Sequence, residues 1–478
     1  MKVIELASIS GKMGVEYKVM RILSFILKVC ICCLVVNALP YNGYVRCEDK
    51  PPVYDLSMCI ESALKDHPSV RQSQYMIKYY ESGIKLAKSE FGPHLFFQSS
   101  IIQFETTKGF PTLLSVQGSA LISNETSGTD YVAGLSLSQS IFTNGSFFGY
   151  SAPNTQREEN NLTAQKFTDL KVQTGVVYDV IDAYGKVLKT LNSLSIEEAS
   201  LKTSELLYAT TLSKYKLDLV NKSELLKAES TLENHKARIE ELKSTLQINL
   251  STLSNKIGNG ARILQISTDK DKFRSILCDG EAFPPLEKLF EMTYQKRNDI
   301  KAQEATINSL ISNLKVIKSK RYPQLSLNAN YFRRGELNFE NNSYAWNAFV
   351  GIGMPIFDYG EISAEVSQQE NLIQVQREVL RSLRNDVDSQ VQESYQTVQS
   401  LKAKLSGLQK STEQAKEALV LTEEKYKKEL VAEADVLKAN DELSQIKQSV
   451  YETEIDIIVN NVALRKAVGL DILKCGVF

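Results

Sequence analysis

Residues 214–229, KYKLDLVNKSELLKAE, return 211 positions later as KYKKELVAEADVLKAN at 425–440, with eight of the sixteen residues identical. The same offset holds without a gap from about Phe167 to Gly258, aligning Tyr184 with Tyr395, Val187 with Val398 and Leu253 with Leu464. An earlier block repeats at an offset of 230, where Val70 meets Ile300, Pro93 meets Pro323 and Leu95 meets Leu325. Between the blocks, IFTNG at 141–145 matches IFDYG at 356–360. A repeat of this length makes the fold two copies of one unit, so each local feature is to be read twice. The implied organisation is a leader over 1–46, a first repeat over 47–262, a linker over 263–283, a second repeat over 284–469 and a tail over 470–478.

Each unit runs in the same order: helix, strand pair, two long helices. The opening helix is predicted over roughly 55–90 and 285–320. At Pro93 and Pro323 the apolar period then changes from 3.6 to 2. Strands are predicted over ~93–105, ~130–142, ~323–333 and ~344–356. In PQLSLNANYF, Leu325, Leu327, Ala329 and Tyr331 face one way, and Ser326, Asn328 and Asn330 the other. Trp346, Ala348, Val350 and Ile352 alternate similarly, as do Tyr131, Ala133, Leu135, Leu137 and Ile141. A soluble sandwich would show this alternation too. Here, though, the second face is small, polar and uncharged, which suits strands lying between lipid and a watery lumen. Four strands cannot close a barrel, and an open edge in lipid leaves backbone groups unpaired, so strands that cross a membrane here require an oligomer.

Long helices are predicted over ~157–217, ~222–258, ~362–428 and ~433–468, proline-free segments rich in Leu, Ala, Lys, Glu and Gln. Sixty helical residues would reach about 90 Å, and helices of that length need partners along their whole extent.

Among 478 residues the formal charge is only −1, without the basic stripe of a nucleic-acid binder. MRILSFILKVCICCLVVNALP at 20–40 has basic residues first and then a short apolar run, which reads as a secretory signal. A single anchor helix is the alternative. Outside that segment lie Cys47, Cys59, Cys278 and Cys475, with no metal-ligand spacing. Cys278 and Cys475 are the candidate pair for a bridge in an oxidising compartment. His67, His94 and His235 share no ligand spacing, and neither a P-loop nor a nucleophile elbow is present. No cofactor and no enzymatic activity are expected.

A signal, a duplicated helix–strand–strand–helix–helix plan, Pro323-Gln324-Leu325 before one strand pair and MPIFDYG after it together resemble the TolC-like outer-membrane efflux family. The resemblance spans nearly all of 55–469. It implies a homotrimer of α+β membrane subunits, each giving four strands to one twelve-stranded barrel continued by a long periplasmic helical barrel. That assembly would be a passive exit duct of an efflux or type I secretion system. It would dock on a periplasmic adaptor (membrane fusion) protein and an inner-membrane pump of the RND or ABC type, with outer-membrane lipid around the barrel. Strand and strand-end positions would include Pro93, Gly145, Pro323, Leu325, Trp346, Pro355 and Gly360.

Within such a family the repeated phrase corresponds to the turn at the periplasmic tip. The resemblance implies a gate at Asp435 and Glu224, whose acidic side chains would also complement a helix dipole without any gating role. Lys438 and Lys227 stand where family members often carry a second acid, and at i,i+3 each could pair with its own carboxylate. Tyr215, Asp218, Tyr426 and Glu429 would form the tip turn and adaptor dock. Asp218 and Glu429 replace the family's usual glycine, which puts the tip conformation in question. The competing reading is an oligomeric structural or adhesive envelope protein with a β anchor and a coiled-coil stalk.

Overall fold

The computed structural model describes residues 53–472 apart from 106–111, 117–118, 124–126, 151, 259, 261–264, 268–271, 275–276, 278–282, 337–342 and 429. The secretory signal, Cys47, the Cys278–Cys475 pair and Glu429 lie outside the described residues. Elements follow in the order β1 (Val53–Tyr54), α1 (Leu56–Asp66), α2 (Pro68–Ser89), β2 (His94–Glu105), β3 (Thr112–Val116) and β4 (Ser119–Ser123). After them come β5 (Ser127–Thr143), β6 (Ser146–Phe147), α3 (Pro153–Lys216), α4 (Lys222–Ile257) and β7 (Gln265–Ile266). The second repeat holds α5 (Leu286–Lys296), α6 (Asn298–Ser319), β8 (Gln324–Glu336), β9 (Ser343–Gly353), α7 (Glu361–Lys427) and α8 (Glu433–Val468).

The opening helix of each repeat is two helices, not the one the period suggests. In the first, His67 precedes Pro68, whose ring drives it to φ −63°, ψ 129°. The break is then capped, His67 Nδ1 accepting from the Ser69 N–H at 3.2 Å. The second repeat has no proline there, yet Arg297 takes φ −65°, ψ 123°. Its guanidinium grips Asp299 with two hydrogen bonds of 2.8 and 2.6 Å and donates to the Ala467 carbonyl at 2.9 Å. Burial alone would raise the Asp299 pKa; the Arg297 fork outweighs it and holds the carboxyl below the usual range. One geometry is thus reached by two chemistries.

Each break is closed by the glycine that ends its repeat. Gly258 (φ +91°) and Gly469 (φ +82°) finish α4 and α8 in left-handed caps. A Cβ on Gly258 would stand 2.9 Å from the Asp66 carbonyl, and one on Gly469 2.9 Å from the Arg297 backbone. Ile257-Gly258 and Val468-Gly469, equivalent dipeptides of the two repeats, are therefore where the long hairpins seat on the short helices.

Around this belt lies the main core. Val180, Ile181, Val187 and Leu188 of α3 meet Leu253 and Ile257 of α4, Ile455 and Val462 of α8, and Leu56 and Cys59 of α1. Tyr184 stacks on Phe273 with ring centroids 5.6 Å apart and donates its hydroxyl to the Ser267 carbonyl at 2.7 Å. Leu289, Val391, Leu464 and Val468 form a second, smaller cluster. A parallel pair, β1 with β7, lies against the main core through Tyr54 and Ile266. Both repeats belong to one compact unit. The helices reach well beyond the belt: α3 has 64 residues and α7 has 67, so each is about 100 Å long.

At the other end, β2, β5, β8 and β9 form an antiparallel sheet in that order, β6 adding briefly to β5. Register places Leu95, Leu137, Ala329 and Ala348 on one face, and Phe97, Leu135, Tyr331 and Trp346 beside them. On the opposite face lie Ser136, Asn330 and Asn347, with Asn330 donating to the Asn347 side-chain oxygen at 2.9 Å. One expected position moves. A bulge between Ser140 and Phe142 leaves Ile141 without a partner on β8 and sets Phe142 opposite Leu325, so Phe142 continues the apolar face in place of Ile141. A short hairpin, β3 with β4, stands in the connection between β2 and β5, where the period gave no strand.

Candidate functional site

Both long hairpins, α3–α4 and α7–α8, turn at the end remote from the sheet. The turn after α3 closes with the Leu219 N–H donating to the Lys214 carbonyl at 3.0 Å, and the turn after α7 repeats it from Leu430 to Lys425 at 3.0 Å. In the first turn Asp218 occupies the left-handed region at φ +55°. The position that glycine would fill is taken by an aspartate, one of the few other residues that tolerate it. Leucine side chains crowd the exposed apex: Leu217, Leu219 and Leu430 are each 70 % exposed. Only their repetition marks them in the sequence, Leu219 and Leu430 being the same letter at the same place in the repeated phrase. Tyr215 is half-buried and Tyr426 is exposed beside them.

The four charged positions after the turns are exposed. Asn221 caps α4 by accepting from the Glu224 N–H at 3.0 Å. Its equivalent, Ala432, has no side chain to do so. Asp435 compensates from the other direction, its carboxylate accepting from the Ala432 N–H at 3.1 Å. Thus Asp435 is engaged with its own helix start, whereas Glu224 has only its backbone N–H in the cap. Among the described residues no ion pair joins Lys438 to Asp435 or Lys227 to Glu224. The i,i+3 pairing the spacing allows is not made, because the Asp435 carboxylate turns back toward the helix N-terminus.

Higher up, a polar seam runs between α3 of the first repeat and α8 of the second. Lys189 pairs with Asp456, and Gln448 donates to the Ser193 hydroxyl at 2.9 Å. Beyond these, His235 on α4 places Nδ1 2.6 Å from Oε1 of Glu197 on α3, both largely shielded from water. Asp441 on α8 lies within their field. Burial pushes its carboxyl pKa up and Glu197 adds to this, while His235 pulls it down. Three helices from both repeats meet at these side chains. Nothing in the spacing of the chain's three histidines points to it.

At the sheet end, Pro93 and Pro323 stand directly before β2 and β8, and His94 stacks on Phe96 with centroids 6.2 Å apart. Leu325, the second residue of β8, lies opposite Ile352, and Trp346 is 78 % exposed in the middle of the apolar face. Gly145 (φ +73°) follows Asn144 (φ 51°) in the tight turn joining β5 to β6. Tyr359 and Gly360 (φ 51° and 88°) repeat those angles where α7 begins, and the Asp358 carboxylate accepts from the Gly360 and Ile362 N–H groups. Pro355 lies in the irregular segment between β9 and α7. Exposed Phe147, Tyr150, Phe357 and Tyr359 gather near this end of the strands, and Tyr331 and Tyr344 toward the other. Among the described residues no helix is long and apolar enough to cross a membrane, and no three His, Cys, Asp or Glu side chains are grouped to hold a metal ion.

Comparison with known proteins matches this arrangement. Nodulation protein T of Rhizobium leguminosarum bv. trifolii is 22% identical over 396 residues, 81% of this chain and 80% of its own length. Cation efflux system protein CusC of Escherichia coli O157:H7 is 21% identical over 332 residues, covering 68% and 70%. A crystal structure of CusC superposes with a TM-score of 0.71 at 19% identity, over 91% of this chain and 97% of that one. The family model described as outer membrane efflux protein matches twice, at residues 59–259 and 289–470, once for each repeat. With both halves matched, and with a sheet apolar on its outer face continued by paired long helices, the chain belongs to the outer membrane efflux protein family.

Proposed function

We propose that three copies of this chain form a passive duct that carries cargo from an inner-membrane pump across the periplasm and outer membrane, docked through a periplasmic adaptor. The observation that carries this reading is the open sheet. Four strands with an apolar outer face and a polar inner face end in two edges, β2 and β9, that are unpaired among the described residues. Three such sheets would close into one barrel of about twelve strands, which removes every edge. The helical hairpins, all attached at one end of the sheet, would continue the lumen toward the pump. RND-type and ABC-type pumps are the partner classes for such a duct. The exposed leucines at the two tip turns, with Tyr215 and Tyr426, supply an apolar surface for the adaptor.

At the inner mouth, Asp435 and Glu224 from three chains would bring six carboxylates together, with Lys438 and Lys227 one helical turn away. Cations are drawn to such a ring, and neighbouring lysines weaken the attraction. Planar-bilayer recordings of the purified protein test this. We predict ion-conducting channels on which divalent cations act weakly, and a clearly stronger block in the double variant Lys227→Glu/Lys438→Glu. A trimer that never conducts contradicts the duct. A wild type blocked as strongly as the double variant contradicts the role of the lysines.

A further inference from the structure

On the apolar face of the sheet an arginine is out of character. Arg333 lies on that face by register, opposite Tyr344 on β9 and Ala133 on β5. It stands eight residues beyond Leu325, at the end of β8 remote from the helices. Strand rise and barrel tilt put that position roughly 20 Å from Leu325 along the membrane normal, at the rim of an apolar band about 25 Å tall. The helices leave from the opposite end, so this rim is the outer-leaflet side. Ala133 and Gly335 leave room beside the guanidinium, and Tyr344 supports it, the Arg333 Cζ lying 5.7 Å from the ring centroid. Tyr331 stacks on Tyr344 with centroids 6.3 Å apart. Arg333 Nε is shielded from solvent and has no hydrogen-bond partner. Among the described residues no carboxylate faces Arg333 from β5 or β9.

An arginine on a lipid-facing rim, fixed by an aromatic ring and without a counter-ion among the described residues, is open to an anion from the membrane. We infer that Arg333, with Tyr344 and Tyr331, binds the phosphate group of a glycolipid in the outer leaflet. The planar fork of guanidinium donors matches two phosphate oxygens, and the rings pack on the sugar and the first acyl carbons. This rests on the outer-membrane placement of the protein. Lysine at the same place would keep the charge and lose the paired donors. Arg334, the next residue, faces the lumen and takes no part.

Trp346, the chain's single tryptophan, lies on the same face on the neighbouring strand, so its fluorescence reports binding. The experiment titrates the purified trimer with diphosphorylated lipid A and, separately, with enzymatically dephosphorylated lipid A. The wild type is expected to bind the phosphorylated lipid roughly tenfold more tightly, as for a charge-assisted contact. Arg333→Gln should lose that preference, Arg333→Lys should keep part of it, and Arg334→Gln should keep all of it. Each variant is first shown to remain a heat-modifiable trimer. An outer-membrane trimer that binds both lipids alike, or a preference surviving in Arg333→Gln, overturns this inference and leaves the duct standing. A wild type absent from the outer membrane overturns both.

Discussion

Asp218 holds a left-handed backbone at the tip of the first hairpin, φ +55°, where most side chains would clash with the following carbonyl. Glycine would adopt the same angles freely. Asp218→Gly is therefore expected to leave the tip intact, whereas Asp218→Val should cost about 1–2 kcal/mol locally. Amide exchange around 214–222 measures this, rising roughly 5- to 30-fold in the valine variant alone. Equal exchange in both variants would contradict the assignment. At this scale the sequence was partly legible. The missing glycine marked the turn as unusual, but a letter does not reveal that aspartate takes the same angles. Nor does a carboxylate at position 435 reveal that it caps a helix, because that depends on Ala432 having no acceptor of its own.

The long helices were legible to within a few residues, since proline-free runs bounded by turn residues leave little freedom. Less so were the breaks at His67 and Arg297. The second has no proline, and only the tertiary grip of Arg297 on Asp299 and the Ala467 carbonyl reveals it. The bulge at Ile141 was hidden for a similar reason: one extra residue inverts the alternation without changing its appearance. Contacts between elements are hidden altogether, and the seam of α3, α4 and α8 is the case with a consequence. Burial raises the pKa of Asp441, so its charged form is disfavoured in the folded seam, and stability present at acid pH is lost as pH rises through the folded value. The seam should tighten on acidification. Amide exchange at 437–445, corrected for intrinsic rates, should slow as pH falls from neutral toward the ordinary carboxylate range, and Asp441→Asn should remove most of that dependence. Slowing that is unchanged in the variant would exclude Asp441 as its source.

For the whole molecule, duplication was the decisive clue, because it doubles every element and leaves an even, insufficient number of strands. The family model's two matches and the sheet order β2-β5-β8-β9 agree with that reading. What one chain cannot display is closure. An apolar outer face, exposed Trp346 and Ile352, and two free strand edges have no counterpart among the described residues of the chain. Their explanation lies in identical neighbours and lipid. Electron cryo-microscopy of the protein extracted from outer membranes addresses this directly. The account predicts a three-fold symmetric particle in which β2 of one protomer pairs with β9 of the next, closing a barrel above a continuous helical tunnel. A monomer, or an assembly whose β2 and β9 edges remain unpaired, would contradict it.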